Sequence, residues 1–180
     1  MLSTVEKLVE TIEYKDVTFD VIERPEVLWV GCIDCAANNT DESDIGATYR
    51  RYRDDLGAVP KNELIAPDFS AALSINYNYN ELPCALMFAK ETYTDEQDER
   101  YEMFTQPGGL WLRVHVTDAT DTALLGRKNH GLFEYFGILG TAAKENGYER
   151  NLDIRIEIEY GNIDGHTSYN YAYVPILKLR

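Results

Sequence analysis

The sequence has little cysteine, little positive charge and no long hydrophobic run. Three cysteines among 180 residues argue against a disulfide framework and fit a reducing cytoplasm. Seventeen Lys and Arg stand against 31 Asp and Glu, and a net charge of −14 argues against a surface built for nucleic acid or anionic membranes. No stretch approaches the roughly 20 apolar residues that cross a bilayer. The acidic N-terminus also lacks the features of a signal peptide. We therefore expect a cytoplasmic protein that binds neither nucleic acid directly nor a membrane.

Motifs for metals, cofactors and nucleophilic catalysis are also missing. Cys32 and Cys35 have the spacing of a metal-binding pair, but no second pair of ligands accompanies them, and a polar loop rather than a helix follows. The three histidines show no ligand spacing. Gly108 and Gly109 precede a strand, so they do not form a phosphate loop at a helix N-terminus. We expect neither a cofactor nor a metal.

Tyrosine is the abundant aromatic residue, with 13 Tyr against 6 Phe and 2 Trp. A tyrosine ring offers an apolar face together with a polar tip, which suits a cavity wall that contacts both ligand and water. Strands with one half-exposed face would use tyrosine in the same way. Composition alone leaves both interpretations open.

The hydrophobic periodicity predicts helices and strands in a regular order. Apolar residues recur at helical spacing in three segments, and strict alternation marks the remaining ones as strands. In chain order these are a helix over residues 3–12, strands over 17–23 and 26–33, a helix over 44–56, strands over 69–77, 84–91 and 110–117, a helix over 130–145, and strands over 153–160 and 168–176. Residues 92–102 and 118–129 are expected to be connections.

The order strand, helix, strand, strand occurs twice, in residues 26–91 and again in residues 109–176. Hairpins dominate this order, so we predict an α+β fold with an antiparallel sheet and helices on one side. The sheet would consist of two pseudo-symmetric β-α-β-β units with a central ligand groove between them. Residues 1–16 are interpreted as an N-terminal helix or extension, and residues 17–180 as one domain.

Six short motifs, in a specific order, carry a resemblance to a known family. They lie at residues 21–31, 45–56, 106–111, 145–149, 156–158 and 173–176. In this order and spacing they resemble the GyrI-like small-molecule-binding domain, the effector-binding domain of AraC-type and multidrug-sensing transcription regulators. The resemblance implies two β-α-β-β units around a groove that binds bulky lipophilic compounds, often cations, against aromatic walls and a buried glutamate. The regulators carry a helix-turn-helix segment upstream. Only about 16 residues precede the domain here, so we expect a stand-alone module.

Glu157 matches the acidic position of that family. It lies between two isoleucines in the middle of a predicted strand, where a poorly solvated carboxylate would need a compensating cation. Glu159 shares its face, so either residue could be the inward acid. The alternative is a solvated strand face on which Glu157 pairs with Arg155 or Arg113.

Five aromatic residues complete the candidate site. Trp111 matches the aromatic that follows Gly-Gly in the family, and Tyr171 and Tyr173 lie on the predicted closing strand. Tyr49 and Tyr77 are further candidates, although helix-to-sheet packing explains Tyr49 equally well. Each ring facing a bound cation would contribute about 0.5–2 kcal/mol.

Three functions follow from these residues. The favoured one is a binding module for lipophilic, cationic small molecules. The resemblance also includes hydrolases of reactive cyclopropane-bearing compounds, in which the groove glutamate would act as a general base. It further includes gyrase inhibitors, which bind a protein partner, and an acidic surface would suit that role. The sequence does not specify the oligomeric state.

Overall fold

The structure is a computed structural model, and it describes residues 6–35, 44–55, 63–76, 84–128, 132–161 and 170–180. Ten strands and three helices follow one another along this part of the chain. They are β1 (Lys7–Tyr14), β2 (Val17–Arg24), β3 (Val27–Asp34), α1 (Ile45–Asp55), β4 (Ala71–Ile75), β5 (Ala85–Thr92), β6 (Glu102–Gln106), β7 (Gly109–His115), α2 (Asp118–Leu125), α3 (Tyr135–Glu145), β8 (Tyr148–Arg150), β9 (Ile156–Tyr160) and β10 (Tyr171–Lys178). A 3₁₀ turn over Leu132–Glu134 leads into α3.

The strands form one open antiparallel sheet, so the predicted α+β class is confirmed. Their order is β1-β2-β7-β10-β9-β4-β5-β3-β6, and the short strand β8 pairs with β10. The paired strands β9 and β4 lie at the centre. The order β7-β10-β9 on one side of them mirrors β3-β5-β4 on the other, as expected for two related β-α-β-β units.

Alternation along the strands gives the sheet two different faces. On the face that we call the helix face, α2 and α3 pack over one half of the sheet, in a cluster that includes Leu124, Leu139 and Val174. Helix α1 packs over the other half, where Tyr52 joins a separate cluster. The opposite face, which we call the inner face, carries a third cluster that spans both halves of the sheet and includes Trp29.

Gly31 allows β3 and β5 to approach closely on the inner face. A Cβ atom at this position would stand 1.9 Å from the carbonyl oxygen of Phe88 and 2.8 Å from the Cα of Ala89. Contacts under 3.0 Å are essentially never made by a real Cβ. The pairing of these two strands therefore requires glycine at position 31.

The helix predicted for residues 3–12 is wrong over the residues that the structure describes. Residues 7–14 instead form β1, which pairs along its length with β2. The two strands are joined by Lys15 and Asp16, both with positive φ (50° and 61°). Of the described apolar residues at helical spacing, Leu8 and Val9 are exposed and Ile12 is buried in the strand. The boundary proposed between residues 16 and 17 falls inside this hairpin and stays a prediction.

Three further elements differ from the sequence prediction. The connection expected over residues 118–129 contains α2, whose N-cap Thr117 accepts a hydrogen bond from the backbone N–H of Thr120. The acidic segment 92–102 leads into the edge strand β6, and β8 follows α3 directly. Neither strand has an alternating pattern long enough to be recognised.

Candidate functional site

Two glutamates lie on the helix face at the centre of the sheet, in the gap between the two helix-covered halves. The register pairs Glu157 with Ser74, and Glu159 with both Ala72 and Ala172. Directly paired residues point to the same side of a sheet, so these five residues share one surface. We call it the acidic seam. Its small residues provide little bulk to fill the space above the central strands.

Glu157 is buried in the seam and is neutralised by a neighbouring cation. Its carboxylate pairs with the guanidinium of Arg150, the last residue of β8. Arg150 also donates a hydrogen bond of 3.3 Å from Nη1 to the carbonyl oxygen of Phe136 on α3. The alternative of a solvated Glu157 is therefore wrong, because the residue is 2% exposed and pairs with Arg150.

Glu159 has a different electrostatic environment although it lies only two residues away. Burial raises the pKa of Glu159 to about 7, and a hydrogen bond from the backbone of Leu132 offsets part of that rise. No cation among the described residues contributes to this pKa. Among the residues that the structure describes, Glu159 is thus the seam acid without a compensating cation.

A further acid, Asp34, lies on the same face of the sheet toward β3. Ser74 pairs with Leu86, and Leu86 pairs with Asp34, so Asp34 lies on the same face two strands away. The buried thiol of Cys84 is close enough to be affected by these acids. Burial raises its pKa, and the charges of Glu157 and Asp34 raise it further. The surroundings of the seam are therefore anionic.

Aromatic rings line the α1 side of this region. Tyr49 meets Phe88 edge to face at 5.2 Å between ring centroids and stacks on Tyr52 at 6.3 Å. Tyr49 is half-buried. Tyr52 is held in place by a hydrogen bond from its hydroxyl to Ser70. Of the predicted aromatics, Tyr49 is the one on the face of Glu157. Tyr77 lies outside the described residues.

The other three predicted aromatics lie on the inner face, on the opposite side of the sheet from Glu157. Tyr173 pairs with Ile158 rather than with a glutamate, and Trp111 and Tyr173 are fully buried. Tyr171, two residues along the strand from Tyr173, is half-buried. The structure therefore does not bring these rings around Glu157. Their role in ligand binding stays a prediction.

An ion-pair network that the sequence analysis missed lies beside these rings. Arg24 pairs with Glu91 (2.7 Å from Nη2 to Oε1) and with Glu6 (3.1 Å from Nε to Oε1). Its guanidinium carbon lies 5.0 Å from the ring centroid of Tyr173. Burial raises the pKa of this tyrosine, and Glu6 adds to the rise while Arg24 opposes it. The inner face thus already contains a cation enclosed by acids and rings.

A second arginine extends the network toward the sheet surface. Arg113 bonds Glu6 through Nη1 and Asp20 through Nε at 2.9 Å, and it lies over the ring of Tyr171 at 5.1 Å. One signal for this network was present in the sequence. Alternation from Met87 through Ala89 places Glu91 on an apolar face, where a carboxylate requires a partner.

Within the described ranges, no group of three or more His, Cys, Asp and Glu side chains could hold a metal ion. No helix among these residues has the length and apolar character needed to cross a membrane. The cytoplasmic location expected from the sequence stays a prediction.

Fold and seam together define a class: an open antiparallel α+β sheet with helices on one face and an acidic seam between two related halves. This architecture is consistent with the GyrI-like fold expected from the sequence. No protein-family model and no curated protein sequence matches the chain.

Solved structures share the architecture. The C-terminal domain of EcmrR aligns with a TM-score of 0.59 at 14% identity, covering 89% of this chain and 98% of that domain. EcmrR in a complex with DNA aligns with a TM-score of 0.52 at 12% identity over 89% of this chain and 57% of EcmrR. An integron cassette protein from Vibrio cholerae aligns with a TM-score of 0.48 at 13% identity, covering 90% and 95% of the two chains. The likeness to EcmrR shows the fold.

Proposed function

We propose that this protein binds bulky lipophilic cations in the acidic seam. Glu159 and Glu157 would supply the negative charge, and Tyr49 would supply one aromatic wall. The observation that carries the proposal is Glu159, a partly buried carboxylate whose pKa is raised to about 7 and which has no compensating cation among the described residues. The similarity to the EcmrR C-terminal domain supports the fold on which the proposal rests.

The physical reason is the cost of a desolvated charge. A carboxylate held away from water either takes up a proton or acquires a cationic partner. A lipophilic cation can enter a poorly hydrated seam at lower desolvation cost than a small hydrated ion. It also gains about 0.5–2 kcal/mol from each aromatic face that it contacts. Ala72, Ser74 and Ala172 contribute little side-chain bulk to the seam, and all three are buried.

Calorimetric titration with tetraphenylphosphonium and with uncharged triphenylphosphine oxide tests the proposal. We expect the cation to bind at least about tenfold more tightly, which corresponds to about 1.4 kcal/mol. Glu159→Gln should remove most of this preference. Glu149→Gln, which removes an equal charge from an exposed position, should not. Equal affinity for the two probes would contradict the proposal.

The raised pKa of Glu159 also favours a second candidate function, general-base catalysis on water in the seam. A base with a pKa near the working pH is the most effective kind. Hydrolysis of reactive cyclopropane-bearing compounds is the activity to assay, with wild type and Glu159→Gln compared. Absence of turnover by the wild-type protein would eliminate it. The protein-partner alternative stays a prediction.

A further inference from the structure

We propose that Arg150 is a built-in competitor for the cation site of the seam, and that it sets the affinity for cationic guests by occupying Glu157. The inference rests on the proposed function and adds a residue that tunes it. Arg150 would then determine how strongly the seam prefers cations to neutral guests. It does so from β8, next to the central strand that carries the two glutamates.

The exposures of the two partners support this role. The Glu157 side chain is 3% exposed and that of Arg150 is 24% exposed, so the carboxylate lies below and the guanidinium lies nearer the solvent. A guest that enters the seam from solvent therefore meets the arginine before it reaches the acid. The charge on Glu157 becomes available to the guest only to the extent that Arg150 moves aside.

The attachment of Arg150 to α3 makes such movement feasible. Its stem lies against the helix at Gly140, with Cγ and Cδ 3.8 and 3.7 Å from where a Cβ of that residue would stand. Apart from Glu157, the polar contact of the guanidinium among the described residues is the 3.3 Å bond to the Phe136 carbonyl, which is long for a hydrogen bond. The side chain is thus held mainly by the carboxylate for which the guest competes.

The charges in the seam predict how removal of the Arg150 charge changes the affinity for a cation. With Arg150 in place, Glu157 is neutralised and a guest interacts chiefly with Glu159. Without it, two acids on one strand face share the seam, and Asp34 lies on the same face. A buried acid that loses a cationic partner is unfavourable, so a cation that replaces the guanidinium restores the lost ion pair. Cation affinity should rise when Arg150 is neutralised, and affinity for a neutral probe should not.

The test compares wild type, Arg150→Gln and Arg155→Gln by calorimetric titration at pH 8 with tetraphenylphosphonium and triphenylphosphine oxide. Arg155 is exposed and close in sequence, so its variant controls for the loss of one positive charge. We expect Arg150→Gln to bind the cation about tenfold more tightly, while its affinity for the neutral probe and the affinities of Arg155→Gln change less than about twofold. Unchanged or weaker cation binding, or an equal gain in Arg155→Gln, would overturn the inference.

Loss of stability in Arg150→Gln is addressed by a second variant and a second measurement. The double variant Arg150→Gln, Glu157→Gln contains no buried charge at this position. It should therefore fold and lose the gained cation affinity; if it keeps the gain, the inference is wrong.

The cation should also raise the melting temperature of Arg150→Gln by more than that of wild type. If Arg150→Gln binds the cation and wild type does not, the result would support the competitor role of Arg150. If neither protein binds the cation, the result would contradict both the proposed function and this inference. Binding by wild type that Arg150→Gln does not improve would contradict this inference alone.

Discussion

Glu157 and Glu159 show that one neighbouring side chain determines whether the charge of an acid in the seam is compensated. Both point to the helix face of β9, and both pair with small residues on β4. Arg150 neutralises Glu157, whereas burial raises the pKa of Glu159 to about 7 because no described cation compensates it. The two acids therefore differ in how their charge is balanced.

We expect Glu159 to destabilise the folded protein at high pH. Its pKa is about 7 in the folded state against an ordinary value of 4.5, so the unfolded chain releases the proton first as the pH rises. Stability is lost between those two values and stays lost above pH 7. At one pKa unit per 1.36 kcal/mol, and allowing for partial exposure, Glu159→Gln should gain about 2–3 kcal/mol at pH 8 and almost nothing at pH 4. Urea denaturation across this range measures the difference.

Glu149→Gln is the matched control for that experiment, since Glu149 is exposed on β8. Its denaturation profile should run parallel to that of wild type at every pH. A Glu159→Gln profile that also ran parallel to wild type would show that Glu159 titrates normally.

Alternation in the sequence correctly separated Glu157 and Glu159 from Ile156 and Ile158. It could not assign Trp111, Tyr171 and Tyr173 to the correct side of the sheet relative to the acids. That assignment depends on which residues of β9 and β10 pair, and Tyr173 is paired with Ile158. A shift of one residue in this register would have placed the rings beside Glu157. Local patterns contain no information about such a register.

At the scale of single elements, the β1–β2 hairpin is strained at its turn. Lys15 and Asp16 both have positive φ, the conformation of the tight hairpin turns in which Asn and Gly are preferred. Asp16→Gly should therefore stabilise the protein by up to about 1 kcal/mol, because glycine adopts this conformation at no steric cost. Chemical denaturation measures the gain. Asp16→Ala keeps the strain and should show no gain, and a similar gain in both variants would refute this explanation.

The same hairpin shows why the sequence prediction of a helix over residues 3–12 was wrong. Leu8, Val9 and Ile12 have helical spacing, but that spacing does not exclude an edge strand with one buried residue. The Lys-Asp pair gives no sequence signal for a turn. Helix α1 and the long strands β2, β3, β5 and β7 were predicted well, because each has enough apolar residues at helical or strand spacing to be recognised from the sequence.

At the scale of the whole molecule, the Arg24–Glu91 pair joins strands that are far apart in the sheet. Four strands separate β2 from β5, yet their side chains meet on the inner face at 2.7 Å. Replacing Arg24 by methionine should cost about 3–5 kcal/mol, because the buried Glu91 loses its guanidinium. Removing both charges in Arg24→Met, Glu91→Leu should recover much of that loss. Urea denaturation at pH 7 compares the variants.

The control for that comparison is an exposed ion pair of the same chemistry. Arg127 and Glu134 are 57% and 39% exposed, so Arg127→Met should cost less than about 1 kcal/mol. If Arg24→Met also cost less than about 1 kcal/mol, the ion-pair network on the inner face would contribute little to stability.

The order of elements was sufficient to predict the fold class and the two related units. Contacts between distant strands were not predictable, because Arg24 and Glu91 lie 67 residues apart and meet only through the curvature of the finished sheet. For the same reason the pairing of Glu157 with Arg150 was not predicted, and the role of Glu157 in ligand binding stays a prediction.

The close approach at Gly31 has an evolutionary consequence. A methyl group there would overlap the neighbouring peptide, so selection has no alternative amino acid to substitute while the strand pairing persists. When homologues are gathered, this column of the alignment should hold a single letter even where overall similarity has decayed. That invariance would make position 31 a fixed point from which remote members of the lineage can be aligned.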